Sequence, residues 1–257
     1  MAKESVLTLT GVSKSFARAD TNEVVDALSN IDLTVKSGEF VSIVGPSGCG
    51  KSTILRLVSG LLSPTIGTIE LSGEKISGTS PNRGMAFQKP TLFPWLTVKR
   101  NVGFSMKMRG TYQENQHKID DLLDMAGLGE FKDSYPAQLS GGMAQRVSLL
   151  RTMINEPEIF LLDEPLGALD AFTRMNMQDE LLNMWQKKKN MMLMVTHDVE
   201  EAVYMGTRVI VMAPRPGRII KDMAIDLPYP RNRSSQELTD YRNEILELLN
   251  YGKHEKN

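Results

Sequence analysis

Gly45-Pro46-Ser47-Gly48-Cys49-Gly50-Lys51-Ser52-Thr53 follows the apolar run Phe40-Val41-Ser42-Ile43-Val44 and precedes Ile54-Leu55-Arg56-Leu57-Val58. The spacing is G-x-x-x-x-G-K-[ST], set between a predicted strand and a predicted helix. Its three glycines let successive backbone N–H groups point at anionic oxygens, and the helix opening at Lys51 adds the positive end of its dipole. Lys51 is placed to reach the β- and γ-phosphates of a nucleotide, and the Ser52 hydroxyl to ligate Mg²⁺.

Totals narrow the class. The chain has 257 residues, 41% of them hydrophobic, which is enough for a sizeable core. Thirty basic residues stand against 31 acidic ones, a net charge of −1 that does not suggest a long track for nucleic acid. Cys49 is the only cysteine, so no internal disulfide forms and a reducing cytoplasm is expected. The start Met1-Ala2-Lys3-Glu4-Ser5-Val6 lacks the apolar core of a secretory signal, and no stretch approaches the roughly 20 apolar residues of a membrane span. Service to a membrane would therefore run through partners. The 16 methionines read as adaptable core filler.

Before the loop, Val6–Val12 and Ile31–Val35 alternate apolar and polar and predict half-buried strands; Thr68–Gly73 predicts another after the loop helix. An antiparallel β portion is therefore expected beside the nucleotide core. Phe16 either stacks on a purine or packs locally. Gly84–Gln88 predicts a buried strand ending on an amide, with Gln88 either a ligand of Mg²⁺ or of the attacking water, or an ordinary turn residue. Leu92-Phe93-Pro94-Trp95-Leu96 packs inside or lies exposed for another protein. From Thr97 to Met153 the period is helical, with Ile119, Leu122, Leu123 and Ala126 on one stripe ended by Gly127, and predicts an inserted helical lobe. Ser140, Gly141 and Gly142 then open a helix, either as a second anion site or as a plain N-cap.

Ile159–Leu162 predicts a central parallel strand ending in Asp163-Glu164-Pro165. Asp163 is suited to hold Mg²⁺, directly or through water, and Glu164 to orient the attacking water. The loop Leu166–Asp170 leads to a helix from Ala171 to Lys187, whose Lys187-Lys188-Lys189 run complements the dipole as a solvated face. Asn190–Val195 predicts another buried strand before His197, a γ-phosphate partner or a structural turn residue. Strands ending at Gly45, Asp163 and His197 can converge on one site. Two further strands, Arg208–Met212 and Arg218–Asp222, and a tail helix with Ser234 and Glu237 as capping box and Leu238, Tyr241, Ile245 and Leu248 as apolar stripe complete the chain. That helix is expected to dock on its own domain.

One ATP needs one phosphate loop, yet a second anion site opens at Ser140. If both grip one nucleotide, the second comes from another copy: two chains related by a two-fold axis would sandwich two ATP molecules and cycle with hydrolysis. Gly45–Thr53, Gln88, Leu139–Arg146, Leu162–Pro165, Asp170 and His197, in this order, resemble the motif set of ABC-transporter ATPase subunits. The resemblance implies an α/β fold: a P-loop NTPase core, RecA-like with a mostly parallel sheet, an antiparallel β subdomain and an inserted helical subdomain. Core and β subdomain would take about 1–89 and 157–222, the helical subdomain about 90–156 and the tail about 223–257. It further implies that Glu164, His197 and Gln88 are catalytic, with Gln88 sensing the partner and His197 positioning the γ-phosphate. Ser52, Gln88 and Asp163 would hold Mg²⁺. Phe16 would stack on adenine, and Ser140, Gly141, Gly142, Gln145 and Asp170 would serve the partner's nucleotide.

Phe93–Val98, Leu166–Ala171 and Met212–Ile219 are similar to the nitrate, sulfonate and taurine import branch. Members work with a two-copy integral membrane permease, which Leu92–Leu96 would face, and an extracytoplasmic solute-binding protein. The chain would then sit at the cytoplasmic face of the membrane, coupling ATP-driven closure to uptake of a small anion such as a sulfonate, taurine or nitrate. Ala144 departs from the basic residue common after the signature, and Lys89 from the acidic residue common beside the Gln. Two rivals are a soluble ABC ATPase acting on ribosome or nucleic acid and a small-molecule kinase. The first usually carries two cassettes or a coiled coil, and the second leaves Leu139–Arg146 and His197 unexplained.

Overall fold

Every residue of Phe40–Val44, Ile159–Asp163 and Met191–Val195 is buried, as unbroken apolar runs require of strands covered on both faces. In the computed structural model, which describes residues 5–18, 23–167 and 169–254, with side chains up to 249, these runs form the middle of one sheet. Met1–Glu4 and Ala168 of the segments read above lie outside the described residues.

The chain opens with β1 (Val6–Ala17), β2 (Val24–Lys36) and β3 (Phe40–Val44); after α1 (Lys51–Ser59) come β4 (Ile66–Leu71), β5 (Glu74–Lys75) and β6 (Arg83–Ala86). Four helices, α2 (Val98–Val102), α3 (Phe104–Met108), α4 (Gln116–Met125) and α5 (Gly141–Met153), precede β7 (Ile159–Asp163). Then follow α6 (Ala171–Lys188), β8 (Met191–Val195), α7 (Val199–Met205), β9 (Arg208–Ala213), β10 (Arg218–Ala224) and α8 (Gln236–His254). One sheet has the order β10-β9-β3-β8-β7-β6, parallel except for the β10 edge. The other is antiparallel, in the order β2-β1-β4-β5. The antiparallel portion and the helical insertion expected from the periodicities are thus both present.

Strand alternation divides the interior in two. Val41, Ile43, Leu161 and Leu193 pack with α1 and the antiparallel sheet. Their neighbours Phe40, Leu162, Met192 and Met194 pack in a second cluster with residues of α5, α6, α7 and α8. Successive side chains on a strand point to opposite faces, so each buried strand feeds both clusters. The two sheets meet at the phosphate loop: a Cβ at Gly50 (φ +92°) would lie 2.4 Å from Leu28 Cδ2, and Leu28 pairs across the hairpin with Lys14, two residues from Phe16.

Local readings hold with three adjustments. Ile119 and Leu123 of α4 are buried and Gly127 takes φ +63° as the helix ends. The lysine run is less solvated than expected: Lys188 pairs with Glu156 at 2.6 Å and the Lys189 ammonium sits 4.3 Å from the Trp185 ring centroid. The cap of α8 is Ser235, whose Oγ accepts from Leu238 N at 3.3 Å, while Ser234 N donates to Asn232 Oδ1 at 3.0 Å. Leu238 and Ile245 are buried on the chain's own core, as the stripe predicted. The first strand runs past Val12 to Ala17 and takes in Phe16 near its end.

Leu28 is 1% exposed. Leu28→Ala is expected to cost about 2–5 kcal/mol in urea unfolding, the range for a buried leucine, and to loosen the loop it covers; an unchanged unfolding midpoint counts against this join between the sheets.

Candidate functional site

The carboxyl ends of β3, β6, β7 and β8 lie side by side, and each leads into a residue chosen by the sequence analysis. In open α/β sheets this edge is the crevice where ligands sit. Gly45 leaves β3 with no room for a side chain, since a Cβ would lie 2.8 Å from Cys49 Sγ and 2.9 Å from Met212 O. The loop Gly45-Pro46-Ser47-Gly48-Cys49-Gly50 then turns into α1, with Gly48 at φ +77° and Gly50 as the left-handed N-cap. Cys49 is buried beneath it, and burial pushes its thiol pKa up. Lys51 is buried at 7% exposure, and its ammonium donates to Gly45 O at 2.7 Å and Pro46 O at 3.2 Å. The cation is therefore fixed on the loop by two of its three donors.

Ser52 Oγ donates to Asp163 Oδ1 at 2.9 Å, joining α1 to the end of β7. Asp163 is 5% exposed, and burial holds its pKa above the ordinary carboxylate value against the opposing Ser52 hydrogen bond. Glu164 follows at φ +47°, a conformation that costs a non-glycine residue about 1–3 kcal/mol. Its N–H donates to Val195 O at 2.9 Å, locking the turn between the ends of β7 and β8. Glu164 Oε2 accepts from Gln88 Nε2 at 2.7 Å and lies 3.3 Å from His197 Nδ1. Gln88, Glu164 and His197, separated by 76 and 33 residues, thus share one oxygen atom. Thr53 lies in the first turn of α1 behind them.

Ser140, Gly141, Gly142 and Asp170 form a second patch. Ser140 Oγ accepts from Met143 N at 3.2 Å as the N-cap of α5. A Cβ on Gly142 would lie 2.9 Å from Leu169 Cδ2, which brings the opening of α5 beside Asp170. Asp170 caps α6 by accepting from Thr173 N at 3.0 Å, and that bond lowers its pKa. Among the described residues, no hydrogen bond or ion pair joins this patch to Lys51, Asp163, Glu164 or His197. Gln145, grouped with the patch by the sequence analysis, faces the other way: it is fully buried, and Nε2 approaches Phe87 O at 3.4 Å. Five residues beyond Ser140 is about a turn and a half of helix, which carries it to the inner face. Its amide serves this chain's own Gln88 strand end rather than a partner.

Phe16 is half-exposed near the end of β1, with the Lys14 ammonium 5.2 Å from its ring centroid. Arg215 was quoted only within a motif, yet its guanidinium nitrogen would lie 3.3 Å from a Cβ on Gly48, against the tip of the phosphate loop. Leu28 under Gly50 had no local signal at all.

For Mg²⁺ the donor set fits: a hydroxyl, a carboxylate and an amide, all offering oxygen, are few enough to leave the ion most of its waters. Among the described residues there is no cluster of three or more His, Cys, Asp or Glu side chains that would suit a softer metal instead.

A phosphate loop on a mostly parallel sheet, with a carboxylate pair at the neighbouring strand end, defines a P-loop NTPase. The family profile described as ABC transporter matches residues 28–167, more than half of the chain. The chain belongs to that family of ATP-binding cassettes and is an ATPase. An ABC transporter ATP-binding protein of Methanocaldococcus jannaschii is 49% identical over 226 residues, 88% of this chain and 85% of that one. The aliphatic sulfonates import ATP-binding protein SsuB of Bacillus cereus is 41% identical over 96% of both chains. SsuB of Bacillus subtilis is 42% identical over 93% of this chain and 92% of its own. Among solved structures, the dimeric post-hydrolysis state of the cassette MJ0796 bound to ADP and Pi has a TM-score of 0.77 and 32% identity, covering 86% of this chain and all of that one.

Glu164→Gln is expected to keep nucleotide affinity within about threefold and to lower phosphate release by about 10²–10⁴-fold, the range for losing a positioned base. Malachite-green kinetics beside equilibrium nucleotide binding tests this, and near-normal release rejects the role.

Proposed function

We propose that this chain is the ATP-hydrolysing subunit of an ABC import complex for a small sulfonate-like anion. It would act as a pair at the cytoplasmic face of a membrane. The observation that carries the pairing is the separation of the two anion-facing patches, Lys51 to His197 on one side and Ser140, Gly142 and Asp170 on another. Each is complete in its local bonding, yet each offers donors for one nucleotide. Two copies arranged about a two-fold axis bring one chain's loop to the other's Ser140, and the dimeric cassettes among the solved neighbours support that arrangement.

In this reading the loop N–H groups and Lys51 grip the β- and γ-phosphates, and the ring of Phe16 stacks on the adenine. Mg²⁺, held through Ser52, Asp163 and the Gln88 amide, would neutralise charge on the β- and γ-oxygens. Glu164 accepts a hydrogen bond from the attacking water and aims it in line with the leaving ADP. His197 keeps Glu164 and the γ-phosphate in register, and Gln88 reports whether the pair is closed. Pre-positioned donors reorganise little during reaction, which is where such sites gain their rate.

The partners follow from surface and kinship. Trp95 is 70% exposed, Phe93 lies 5.7 Å from it and 4.4 Å from Phe104 between ring centroids, and this patch suits an apolar segment of an integral permease. No helix among the described residues is long and apolar enough to cross a membrane. The SsuB relatives, matched over more than nine-tenths of their length, support sulfonate import; in this reading an extracytoplasmic solute-binding protein would feed the permease.

Two measurements test this reading. Ser140→Arg is expected to leave ATP affinity of the single chain within about threefold while removing nearly all turnover, because the lost donor belongs to the other chain's site; turnover per chain should also fall on dilution. A variant as active as wild type, or a rate indifferent to dilution, rejects the shared site. Affinity purification from solubilised membranes is expected to bring down a hydrophobic permease, and deletion of the gene to abolish growth on an alkanesulfonate as sole sulfur source. Recovery of nuclease-sensitive RNA instead would favour the ribosomal alternative.

A further inference from the structure

Helix α5 is bonded along its length to the segment that runs from β6 through Gln88 to the exposed aromatic patch. Gln145 Nε2 approaches Phe87 O at 3.4 Å, and Thr152 Oγ1 approaches Met85 O at the same distance. The strongest attachment is Arg151, whose guanidinium donates to Thr91 O at 2.7 Å and to Thr91 Oγ1 at 2.8 Å. The same group lies 5.4 Å from the ring centroid of Phe93. Among the described residues no carboxylate pairs with it, and burial lowers its pKa from the ordinary arginine value. The guanidinium's hydrogen bonds and ring contact all go to one loop, so separating helix from loop breaks them together.

The loop has little freedom of its own. Buried Asn101 accepts from Phe93 N at 2.8 Å, and its amide donates to the carbonyls of Phe93, Leu96 and Thr97. Phe93 and Trp95 are therefore carried as a unit, gripped by Asn101 on one side and Arg151 on the other. Eleven residues separate Ser140 from Arg151, about 16 Å along the axis of α5.

We propose that Arg151 is a positioning residue that ties the Phe93–Trp95 patch to the signature helix, so that displacement of either end moves the other. This rests on the two-chain closure proposed above and adds the residue through which closure reaches the permease-facing surface. Planar, two-pronged bonding to Thr91 with a face on Phe93 is geometry that arginine supplies and lysine reproduces only in part.

Trp95 is the reporter, since the other tryptophan, Trp185, is 2% exposed in the core and can be subtracted with a Trp95→Phe chain. The full-length Glu164→Gln chain is titrated with MgATP while Trp95 emission and, in parallel, sedimentation are followed. With Arg151 intact, ATP is expected to drive dimer formation and a Trp95 response together. In Arg151→Ala the dimer still forms, and the response falls by about fivefold or more, the lower end of typical coupling; Arg151→Lys falls between. Thermal unfolding of both variants checks the fold, and the lysine variant carries the test if the alanine variant does not fold. A full Trp95 response in Arg151→Ala or Arg151→Lys, or a dimer of the parent with no response, overturns the proposal while leaving closure intact. Absence of an ATP-driven dimer in the parent overturns closure itself, and the proposal with it.

Discussion

Asp163 is a carboxylate at the end of a buried strand, and the arrangement around it follows from keeping that group where water scarcely reaches. Burial alone drives such a group toward its neutral form. Three features oppose this: the Ser52 hydroxyl at 2.9 Å, the Lys51 ammonium fixed on the loop, and the nearby charge of Arg56. All three lie on or next to α1, so the carboxylate and the phosphate loop stabilise each other's position. A hydroxyl–carboxylate pair is thereby assembled from β7 and α1, 111 residues apart in the chain.

Around that pair, the candidate residues gather at one edge because the strands are parallel. An antiparallel sheet would send alternate ends to the far side of the molecule. Here Gly45, Gln88, Asp163 with Glu164, and His197 emerge on the same edge, and the strain at Glu164 is held by the Val195 carbonyl. Cover on the two faces is unequal in kind. One face carries α1 and the antiparallel sheet, which brace the loop through Leu28; the other carries the long helices and the tail helix α8. Ser140 and Asp170 are bonded only locally, as the N-caps of α5 and α6.

Local chemistry explains why much of this was readable in advance. The phosphate loop, the buried strands, the α4 stripe and the α5 cap each depend on residues within a turn or two, so spacing alone announces them. Gln145 was misread for the same reason: its neighbours in sequence are the signature residues, but helix phase turns it inward to Phe87. Ser234 fits the capping pattern as well as Ser235 does, but α8 begins at Gln236 and it is the Ser235 hydroxyl that accepts from Leu238 N. Leu92–Leu96 split between the alternatives, with Leu92 packed on the core and Trp95 exposed.

The sequence by itself determined the chemistry: a phosphate loop, a carboxylate pair and a second helix opening suited to an anion, each encoded by contiguous residues whose backbone geometry is locally dictated. Only the tertiary structure decided the company those residues keep. That Gln88 and His197 meet on one oxygen of Glu164, that Leu28 braces Gly50 and that Arg151 seizes Thr91 all depend on strand order and helix phase. Those are set by how two cores are packed on one sheet, and packing energies are summed over residues far apart in the chain.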